Sequence, residues 1–584
     1  MARLFLKKDD SQVLSSANTT VFGSTSAETL NLTNAATSSI INSNVDSISF
    51  VGNVADYKFA VQGTNLLVTY NNSTLATIGI QTDSNGTALK FNDITTAAVL
   101  SGLNVATLGK ASISTSAATI TSAAISGVSS ILTQAQAKDK TNATIDSSSL
   151  LSSSSNIVQS LDGSYHWNKT ALTYSYNASV PSEYSGVSVS GTLSGNLTTG
   201  WQTTSQAVKD TTTTIMSDIN TLTNVSITQV ASGGDIRFNM VPTNDTAAAF
   251  AYFPGTSAID GDVFIDTGID TTTLGAGDYG YMTINHELGH ALGLKHPFED
   301  GATLPTSQDN RVNTIMSYTD YRDLTPIFVS TKTATGSTVN MSYDNQYADN
   351  FMVYDIATLQ ELYGANTSTN TGNNTYYFDP EGTVRPAVYE VGAFYFSLPT
   401  YHSIWDAGGT DTLNFATTTH SNIIKLTSGS YSTLDYRSVT TQIADQQAKY
   451  YADLGTHYYD SWVADAYNKY SSEIYTGENA LGIAYGCVIE NAIGGSGDDT
   501  FYDNSVNNSL SGGAGNDSFY EGAGGFDTLT GGDGTDKLVL SVTKASVQIE
   551  KEAAGDTLVV ASNFAVKLIG VESIQFSDQL YTVV

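Results

Sequence analysis

The chain has 584 residues, with 56 acidic against 24 basic residues and a formal net charge of −32 at pH 7. This charge argues against nucleic acids and anionic membranes as partners, because both are negatively charged themselves. The single cysteine, Cys487, excludes a disulfide scaffold, and the length favours three or four domains.

Residues 1–108 are rich in Ser, Thr, Asn and Val. Apolar runs punctuated by Gly, Asn and Asp predict strands at Ser47–Val51, Tyr57–Val61 and Leu66–Tyr70. We therefore predict a small all-β module over 1–108. Residues 109–156 form a Ser/Thr/Ala-rich stretch that predicts a linker, with a weak helix near 131–138.

The next segment mixes helical and strand patterns. Apolar residues at helical spacing predict a helix over about 205–222. Strands are predicted at Leu172–Tyr176, Asp235–Met240 and Val263–Asp266.

Residues 286–296 read HELGHALGLKH. On a helix, His286 and His290 project from one face and can reach one metal ion. Gly293 lets the chain leave the helix, so that His296 becomes a third ligand. Three nitrogens and one open position predict a catalytic zinc, since structural sites usually close with cysteine. Glu287 can then accept a proton from a water molecule that the metal activates.

A second motif, Asn313–Tyr318, reads NTIMSY. An extended zinc motif followed by such a Met-turn resembles the metzincin metalloproteases, and Pro297 with Met-Ser-Tyr is similar to the serralysins. The resemblance implies that Met316 forms an apolar floor beneath the metal. It also implies that Tyr318 can ligate zinc and swing away to stabilise the tetrahedral intermediate. In isolation, both residues would be ordinary packing residues.

The resemblance implies an α+β metzincin domain over 157–375. One strand of its sheet would border the cleft and bind extended substrate as an added strand; Val263–Asp266 or a neighbour could serve. A helix predicted at Asp355–Tyr363, stopped by Gly364, resembles the helix that follows the Met-turn.

Three segments near the C-terminus, 494–502, 512–520 and 531–539, fit the pattern Gly-Gly-x-Gly-x-Asp-x-U-x. Between them lie a degenerate copy at 503–511 and an imperfect one at 522–530, displaced by the extra Glu521. Such RTX repeats predict a parallel β-roll, in which glycine turns expose carbonyls, aspartates ligate calcium and apolar residues pack inward. The candidate calcium ligands are Gly494, Ser496, Asp499, Gly512, Ala514, Asp517, Asp527, Gly531, Asp533 and Asp536. A flexible Gly/Asp-rich linker is the alternative, but the regular apolar positions argue against it.

Ile404–Leu413 resembles the serralysin sequence that opens the C-terminal domain, which adds Asp406 and Asp411 as calcium candidates. An RTX calcium-binding and secretion domain is therefore predicted over 376–584, and the resemblance covers about 160–584. The Tyr-rich segment 443–472 does not match. Much of it is predicted to be helical, with aromatic residues packing on the roll; an added structural patch is favoured over a binding surface.

The first residues show no secretory signal, and no apolar run is long enough to span a membrane. The resemblance implies type I secretion from a Gram-negative bacterium through an uncleaved C-terminal signal, so the protein would be secreted or on the cell surface. Residues 580–584 are apolar, as such signals are, but lack the usual acidic residue before the last three.

These patterns predict a zinc endopeptidase that acts on polypeptides, with calcium supporting the fold. Residues 1–108 could hold the enzyme latent, attach it to a surface or S-layer, or be a passive fusion. The alternative is a calcium-dependent surface or S-layer-associated binding protein with an inactive protease domain. The intact set of zinc ligands, base and tyrosine favours the enzyme.

Overall fold

The computed structural model describes the chain apart from residues 1, 7–10, 24–28, 81–86, 93–94, 103–104, 109–110, 121–155, 186–196, 244–246, 256, 258, 300, 334–335, 381–391, 523, 552–555 and 584. Within the described residues the protein is mostly β, with seven sheets and six α-helices. The predicted linker core at 121–155, including the helix near 131–138, lies outside the described residues.

The N-terminal double sheet consists of two seven-stranded sheets in the described part of residues 2–119. Its strands are β1 (Ala2–Phe5), β2 (Ser11–Leu14), β3 (Thr19–Phe22), β4 (Thr29–Leu32), β5 (Ser39–Ile41), β6 (Ser47–Phe50), β7 (Tyr57–Gln62), β8 (Asn65–Tyr70), β9 (Ser73–Gly79), β10 (Thr87–Lys90), β11 (Thr95–Gly102), β12 (Val105–Leu108), β13 (Ala111–Ile113) and β14 (Ala118–Thr119). Since β13 and β14 belong to these sheets, the predicted boundary at residue 108 is wrong. The all-β unit extends into the stretch predicted as linker.

From β1 to β6, successive strands of this unit alternate between its two sheets. The orders are β1-β3-β5-β9-β8-β7-β14 and β13-β12-β11-β10-β6-β4-β2, and the pairs β1–β3, β3–β5, β2–β4 and β4–β6 are parallel. The chain therefore winds through one strand of each sheet per turn. Buried residues of both sheets, such as Val21 and Leu30, form one hydrophobic core.

The middle region combines a five-stranded sheet with helices. Its elements are α1 (Asn156–Leu161), β15 (Ala171–Tyr176), α2 (Gln206–Leu222), β16 (Ser226–Gln229), β17 (Ile236–Val241), β18 (Ala249–Ala251), β19 (Val263–Asp266), α3 (Tyr279–Ala291), β20 (Leu324–Thr333), β21 (Gly336–Asn345) and α4 (Val353–Tyr363). The sheet order is β16-β15-β17-β19-β18, with only β18 antiparallel to its neighbour. Of the two options for the substrate-binding strand, β19 is thus internal, and β18 lies at the edge of the described sheet.

The C-terminal double sheet consists of a nine-stranded and a six-stranded sheet in the described part of residues 375–582. The same region also contains a separate three-stranded sheet, formed by His402–Ile404, Leu481–Ile483 and Tyr431–Ser432. The elements are β22 (Thr375–Asp379), β23 (Ala393–Ser397), β24 (His402–Ile404), β25 (Thr412–Asn414), β26 (Ile423–Lys425), β27 (Tyr431–Ser432), α5 (Val439–Leu454), α6 (Asp460–Lys469), β28 (Leu481–Ile483), β29 (Asn491–Ile493), β30 (Thr500–Tyr502), β31 (Ser509–Ala514), β32 (Ser518–Glu521), β33 (Phe526–Asp533), β34 (Lys537–Leu540), β35 (Gln548–Lys551), β36 (Thr557–Val560), β37 (Ala565–Ile569), β38 (Ser573–Gln575) and β39 (Leu580–Thr582).

The nonapeptide repeats wind between these two sheets. The orders are β23-β22-β25-β29-β31-β33-β37-β36-β35 and β26-β30-β32-β34-β38-β39. In parallel register, Phe501 lies beside Phe519, and Phe519 beside Leu538. All three side chains are fully buried, so the apolar position of each repeat packs inward as the pattern predicts.

The two double sheets share one series of strand connections. In each, a strand is followed after one crossing by a three-stranded meander whose last strand pairs parallel with it: β5 with β9, and β33 with β37. The next strand then adds parallel to the opposite sheet, as β10 on β6 and β38 on β34. An antiparallel strand, β11 or β39, then pairs with it. In the N-terminal unit β12, β13 and β14 follow. The N-terminal unit therefore repeats the topology of the last turns of the C-terminal one.

The N-terminal double sheet also contacts the C-terminal one. Phe22 packs with Val560 and Ala565 in a small buried cluster, and the Thr20 hydroxyl donates to the Ser562 carbonyl at 3.1 Å. Ser43 donates to the Ser505 carbonyl, and Asn44 bonds to Asn507. These contacts place β3 and the turn after β5 against the degenerate repeat and the β36–β37 hairpin.

The Tyr-rich segment forms α5 and α6, so the prediction of helix there agrees with the structure. Its aromatic residues pack on the long β20–β21 hairpin: the Phe328 ring lies 5.9 Å from Tyr450, 5.7 Å from Trp462 and 5.6 Å from Tyr467, between ring centroids. The prediction that they pack on the roll is therefore wrong. The segment stabilises a hairpin of the middle region instead.

Candidate metal centres

Helix α3 brings two of the predicted zinc ligands together, and the turn after it supplies the third. The Nε2 atom of His296 lies 3.2 Å from that of His286 and 3.1 Å from that of His290. The three nitrogens thus surround one point. Zn–N bonds of 2.0–2.1 Å in tetrahedral geometry require ligand nitrogens about 3.3 Å apart, so the spacing fits zinc.

The other ring nitrogen of each histidine points to an oxygen. Nδ1 of His286 lies 2.7 Å from the Ile315 carbonyl, Nδ1 of His290 lies 2.7 Å from the Leu294 carbonyl, and Nδ1 of His296 lies 2.6 Å from Glu299 Oε1. Because Nδ1 donates in each case, the Nε2 lone pairs are left for a metal. Burial lowers the pKa of His290 to about 4 and also lowers that of His286, which keeps both rings neutral.

Two glycines allow this geometry. Gly293 has a φ of +104°, and a Cβ there would approach the Tyr165 carbonyl oxygen to 2.3 Å. A Cβ at Gly289 would lie 2.6 Å from the Met316 sulfur. Met316 is fully buried, so the methionine lies directly against the helix that carries the ligands.

Glu287 is buried next to the histidines. It accepts a backbone hydrogen bond from Ala251 on the edge strand β18, and its Oε2 atom has no hydrogen-bond partner among the described residues. Burial raises the pKa of this carboxyl to about 8. A buried carboxylate with one free oxygen beside a metal position is suited to accept a proton from water.

Tyr318 lies on the open side of the centre. Its ring centroid is 4.6 Å from that of His296 and 5.8 Å from that of His286, and 60% of the residue is exposed. Phe298 stacks on His296 at 5.2 Å on the same side. The tyrosine is therefore next to the ligands without being fixed by packing.

The motifs did not reveal Asp355, which holds the Met-turn. Its carboxylate accepts from the Thr314 hydroxyl at 2.5 Å and from the backbone N–H of Ile315 at 2.8 Å. The Ile315 carbonyl in turn receives the His286 ring. Asp355 thus orients the ring of His286, a predicted zinc ligand, through the turn. Glu299, on His296, was also missed, although its position three residues after that histidine is a usable signal.

The predicted calcium aspartates of the three regular repeats form a buried row. Asp499 accepts from the Gly495 N–H at 2.7 Å, Asp517 from the Asp499 N–H at 2.8 Å, and Asp536 from the Asp517 N–H at 2.8 Å. The Oδ2 atoms of Asp517 and Asp536 have no hydrogen-bond partner among the described residues.

The glycines beside these aspartates leave room for a cation. A Cβ at Gly512 would lie 2.0 Å from Asp517 Oδ2 and 2.5 Å from the Gly531 carbonyl oxygen; a Cβ at Gly494 would lie 2.3 Å from Asp499 Oδ2. Each aspartate oxygen therefore faces a space that a carbonyl of the next turn also borders. Such oxygen sets fit calcium.

Asp406 and Asp411 form a second carboxylate group. Burial, and for Asp411 also the neighbouring Asp406 charge, raises their pKa values to about 6 and about 8. Glu490, which the motifs did not indicate as a ligand, accepts from the Asp411 N–H at 2.7 Å. Burial raises its pKa to about 7.

The remaining candidate calcium ligands differ from the three aspartates of the buried row. The Asp533 side chain is exposed, and only its carbonyl is engaged, by the Gly515 N–H at 2.8 Å. Ser496 is also exposed, and Ala514 and Gly531 contribute backbone alone. Asp527 lies apart from the row, with Asp503 and Glu521.

Comparison with known proteins agrees with this architecture. Residues 365–446 and 465–582 match the family described as Peptidase M10 serralysin C terminal. The gap in that match falls within the Tyr-rich segment. The fold and this match together define a mostly-β multidomain protein with a serralysin C-terminal domain.

Individual relatives extend the match. The chain is 31% identical to Metallopeptidase AprA of Pseudomonas marginalis over 307 residues, 49% of this chain and 52% of that protein. It is 30% identical to Serralysin of Proteus mirabilis over 320 residues, 50% and 52% of the two chains. Serralysin B of Dickeya chrysanthemi is 29% identical over 266 residues, 44% and 43%. The chain spans about half the length of the curated relatives it matches, and its resemblance to serralysin-type metalloproteases is confirmed.

Among the helices that the structure describes, none has both the length and the apolar character needed to span a membrane.

Proposed function

We propose that this protein is a secreted zinc endopeptidase of the serralysin type. In this proposal residues 157–375 are an α+β metzincin domain and residues 376–584 an RTX β-roll. The observation that carries it is the convergence of three histidine Nε2 atoms beside the buried, partly unpartnered Glu287.

His286, His290 and His296 would hold the zinc. When bound, zinc would supply Lewis-acid polarisation of the scissile carbonyl and activation of a water molecule. Glu287 accepts the proton of the attacking water at its free oxygen and passes it to the leaving amine. Tyr318 donates a hydrogen bond to the oxygen on which negative charge develops. Its exposure leaves it able to move towards that oxygen or away from it.

The substrate in this proposal is a polypeptide bound in extended form along β18. This strand ends the described sheet, and its Ala251 N–H already bonds to Glu287. A peptide added to β18 would be held by its main chain next to the centre. Main-chain binding explains how an endopeptidase accepts many sequences.

Calcium in this proposal supports folding rather than the peptide-bond chemistry. The buried carboxylates of the C-terminal double sheet repel one another without a cation, which couples folding to a calcium-rich exterior. Type I export from a Gram-negative cell through the C-terminal region fits that coupling.

The N-terminal unit could provide latency, provide surface attachment or be a passive fusion. Its contacts described here lie on the C-terminal double sheet. This placement favours attachment over a module that occupies the cleft.

The test is casein hydrolysis by the calcium-refolded full-length protein beside Glu287→Gln and the exposed control Glu361→Gln, each with its metal content determined. We expect zinc in all three, with activity at least about 100-fold lower in Glu287→Gln alone, since a general base contributes roughly 10²–10⁴-fold.

Zinc binding without activity in the wild type would contradict the proposal that the full-length chain is an active protease. A chain starting at residue 157 then separates the causes: restored activity indicates latency, and continued inactivity supports the calcium-dependent binding protein.

A further inference from the structure

A further acidic group, formed by Asp503, Glu521 and Asp527, lies on the opposite side of the C-terminal double sheet from the row of Asp499, Asp517 and Asp536. One carboxylate oxygen from each of Asp503, Glu521 and Asp527 lies within 4.8 Å of the others. All three side chains are buried, at 7%, 6% and 0% exposure. Asp503 follows β30, and Glu521 and Asp527 flank the turn between β32 and β33, so two successive turns on the same side of the winding bring the three together.

This group has oxygens that nothing in the described chain satisfies. Both Oε atoms of Glu521 and Oδ2 of Asp527 have no hydrogen-bond partner, and none of the described ion pairs includes either residue. The other positions are fixed: Asp503 Oδ2 accepts from the Gly522 N–H at 3.1 Å, and Asp527 Oδ1 from the Asn508 N–H at 2.6 Å.

Buried like charges without a counter-charge are unfavourable. Burial, followed by the charges of neighbouring carboxylates, raises the pKa values of Glu521 and Asp527 well above their usual range. Either protons or a cation must therefore occupy the group. A buried carboxylate group with unpartnered oxygens on Glu521 and Asp527 favours a hard divalent ion with oxygen ligands, and calcium accepts such irregular geometry.

The sequence pattern hides this group because it lies where the repeat fails. Asp503 and Asn504 replace the glycine pair of the regular turns, and Glu521 is an extra residue that makes one winding step 19 residues long instead of 18. On the regular side, glycine carbonyls border the cation space. Here two additional carboxylates take their place.

The same degenerate turn receives the N-terminal double sheet. Ser505 and Asn507, just after Asp503, bond to Ser43 and Asn44. On the other strand, the Ala565 N–H donates to the Gly525 carbonyl at 3.0 Å, two residues before Asp527, and Ala565 packs against Phe22. The residues that contact the N-terminal double sheet therefore lie next to Asp503 on one side of the acidic group. On the other side they are hydrogen-bonded to the chain just before Asp527.

We propose that Asp503, Glu521 and Asp527 form a buried calcium site, and that calcium there fixes the turn on which the N-terminal double sheet docks. This site is separate from the zinc centre, and its test does not depend on proteolysis.

The experiment compares full-length wild type, Glu521→Gln and the exposed control Glu550→Gln, from the same double sheet. Calcium per chain is measured by equilibrium dialysis, and the thermal midpoint is measured in calcium and in chelator. We expect Glu521→Gln to bind one calcium fewer than the other two proteins. Its midpoint should be lower than the wild type in calcium but higher in chelator, because one buried charge has been removed.

The opposite signs distinguish a ligand from a residue that only packs, since a packing defect lowers both midpoints. Asp527→Asn, which keeps its acceptor for Asn508, is the second variant if Glu521→Gln folds poorly. An unchanged calcium count in both variants would overturn the site. Hydrogen exchange of residues 39–45, measured in calcium, reports on docking of the N-terminal double sheet. Faster exchange in Glu521→Gln alone supports the coupling, and unchanged exchange overturns it.

Discussion

The N-terminal and C-terminal double sheets share a winding order but bury different chemistry. In the C-terminal one, Asp499, Asp517 and Asp536 are fully buried. In the described residues of the N-terminal one, the buried polar side chains are neutral, as at Ser39, Asn42 and Asn44. Both nevertheless contain the same meander, followed by one parallel and one antiparallel strand. The winding therefore depends on apolar positions in the strands, whereas the proposed calcium binding depends on the turns.

One pair of aspartates shows the difference. Asp46 directly precedes β6, and Asp536 directly precedes β34; their carbonyls accept from Ala88 and Ser573 at 3.1 and 3.2 Å in the next parallel strand. Asp536 follows the pair Gly531–Gly532 and is buried, whereas Asp46 follows Ile41–Asn42 and is half-buried. The turn before Asp46 thus lacks the glycine pair that borders the proposed cation space in the C-terminal unit.

Removal of calcium should produce the largest difference in hydrogen-exchange protection between the two units. With chelator, we expect residues 494–540 to lose most of their hydrogen-exchange protection, because their buried carboxylates lose the cation that compensates them. Residues 29–80 should keep theirs. Exchange measured by mass spectrometry checks this, and equal loss in both units would show that the N-terminal one also depends on calcium.

One substitution in each double sheet sharpens the comparison, at aspartates that directly precede a strand. Asp517→Asn should lower stability in calcium by about 2.7 kcal/mol if calcium is held 100-fold above its Kd and the site is lost. Asp46→Asn should change it by less than about 0.5 kcal/mol, as for a partly exposed side chain. Chemical denaturation in calcium measures both. Similar losses would contradict a purely apolar origin of the N-terminal fold.

The smallest expected effect is that of pH in chelator. Burial raises the pKa of Asp499 to about 6 and of Asp517 to about 7. The folded unit therefore binds protons that the unfolded chain releases between about pH 4 and pH 7, so its stability is greatest below this window and falls as pH rises through it.

Thermal midpoints of the chelated protein at pH 5 and pH 8 test this sign. The transition of the C-terminal unit should be higher at pH 5, and that of the N-terminal unit should move less. A C-terminal midpoint that rises with pH would contradict the assignment of protonated carboxylates.

The parts of this molecule that could be predicted from sequence are those with local causes. His286 and His290 share a helix face by spacing, and Gly293 turns the chain within three residues. Asp355 could not be found in this way, because its partners lie 40 residues away in sequence. The packing partner of the Tyr-rich segment was missed for the same reason.

The order of the N-terminal strands escaped prediction because its turns lack the glycine pairs that identify a repeat. The remaining signal is spacing: Asp10, Glu28 and Asp46 stand 18 residues apart and precede β2, β4 and β6. Asp499 and Asp517 are also 18 residues apart. Apolar strands of four residues, common in any β protein, gave no reason to seek that period.

The parallel register of the winding has a consequence for how such a chain can change length. Asn491 lies beside Ser509, and Ser509 beside Thr528, so each pass returns to the same place after one full turn. Gaining or losing a whole turn leaves every other side chain on its own face, whereas an arbitrary insertion moves strand residues from core to solvent. Glu521 is a single-residue insertion that the molecule tolerates, because it falls at the end of a strand. Insertion or deletion of complete turns is thus the change in chain length that this fold tolerates most readily.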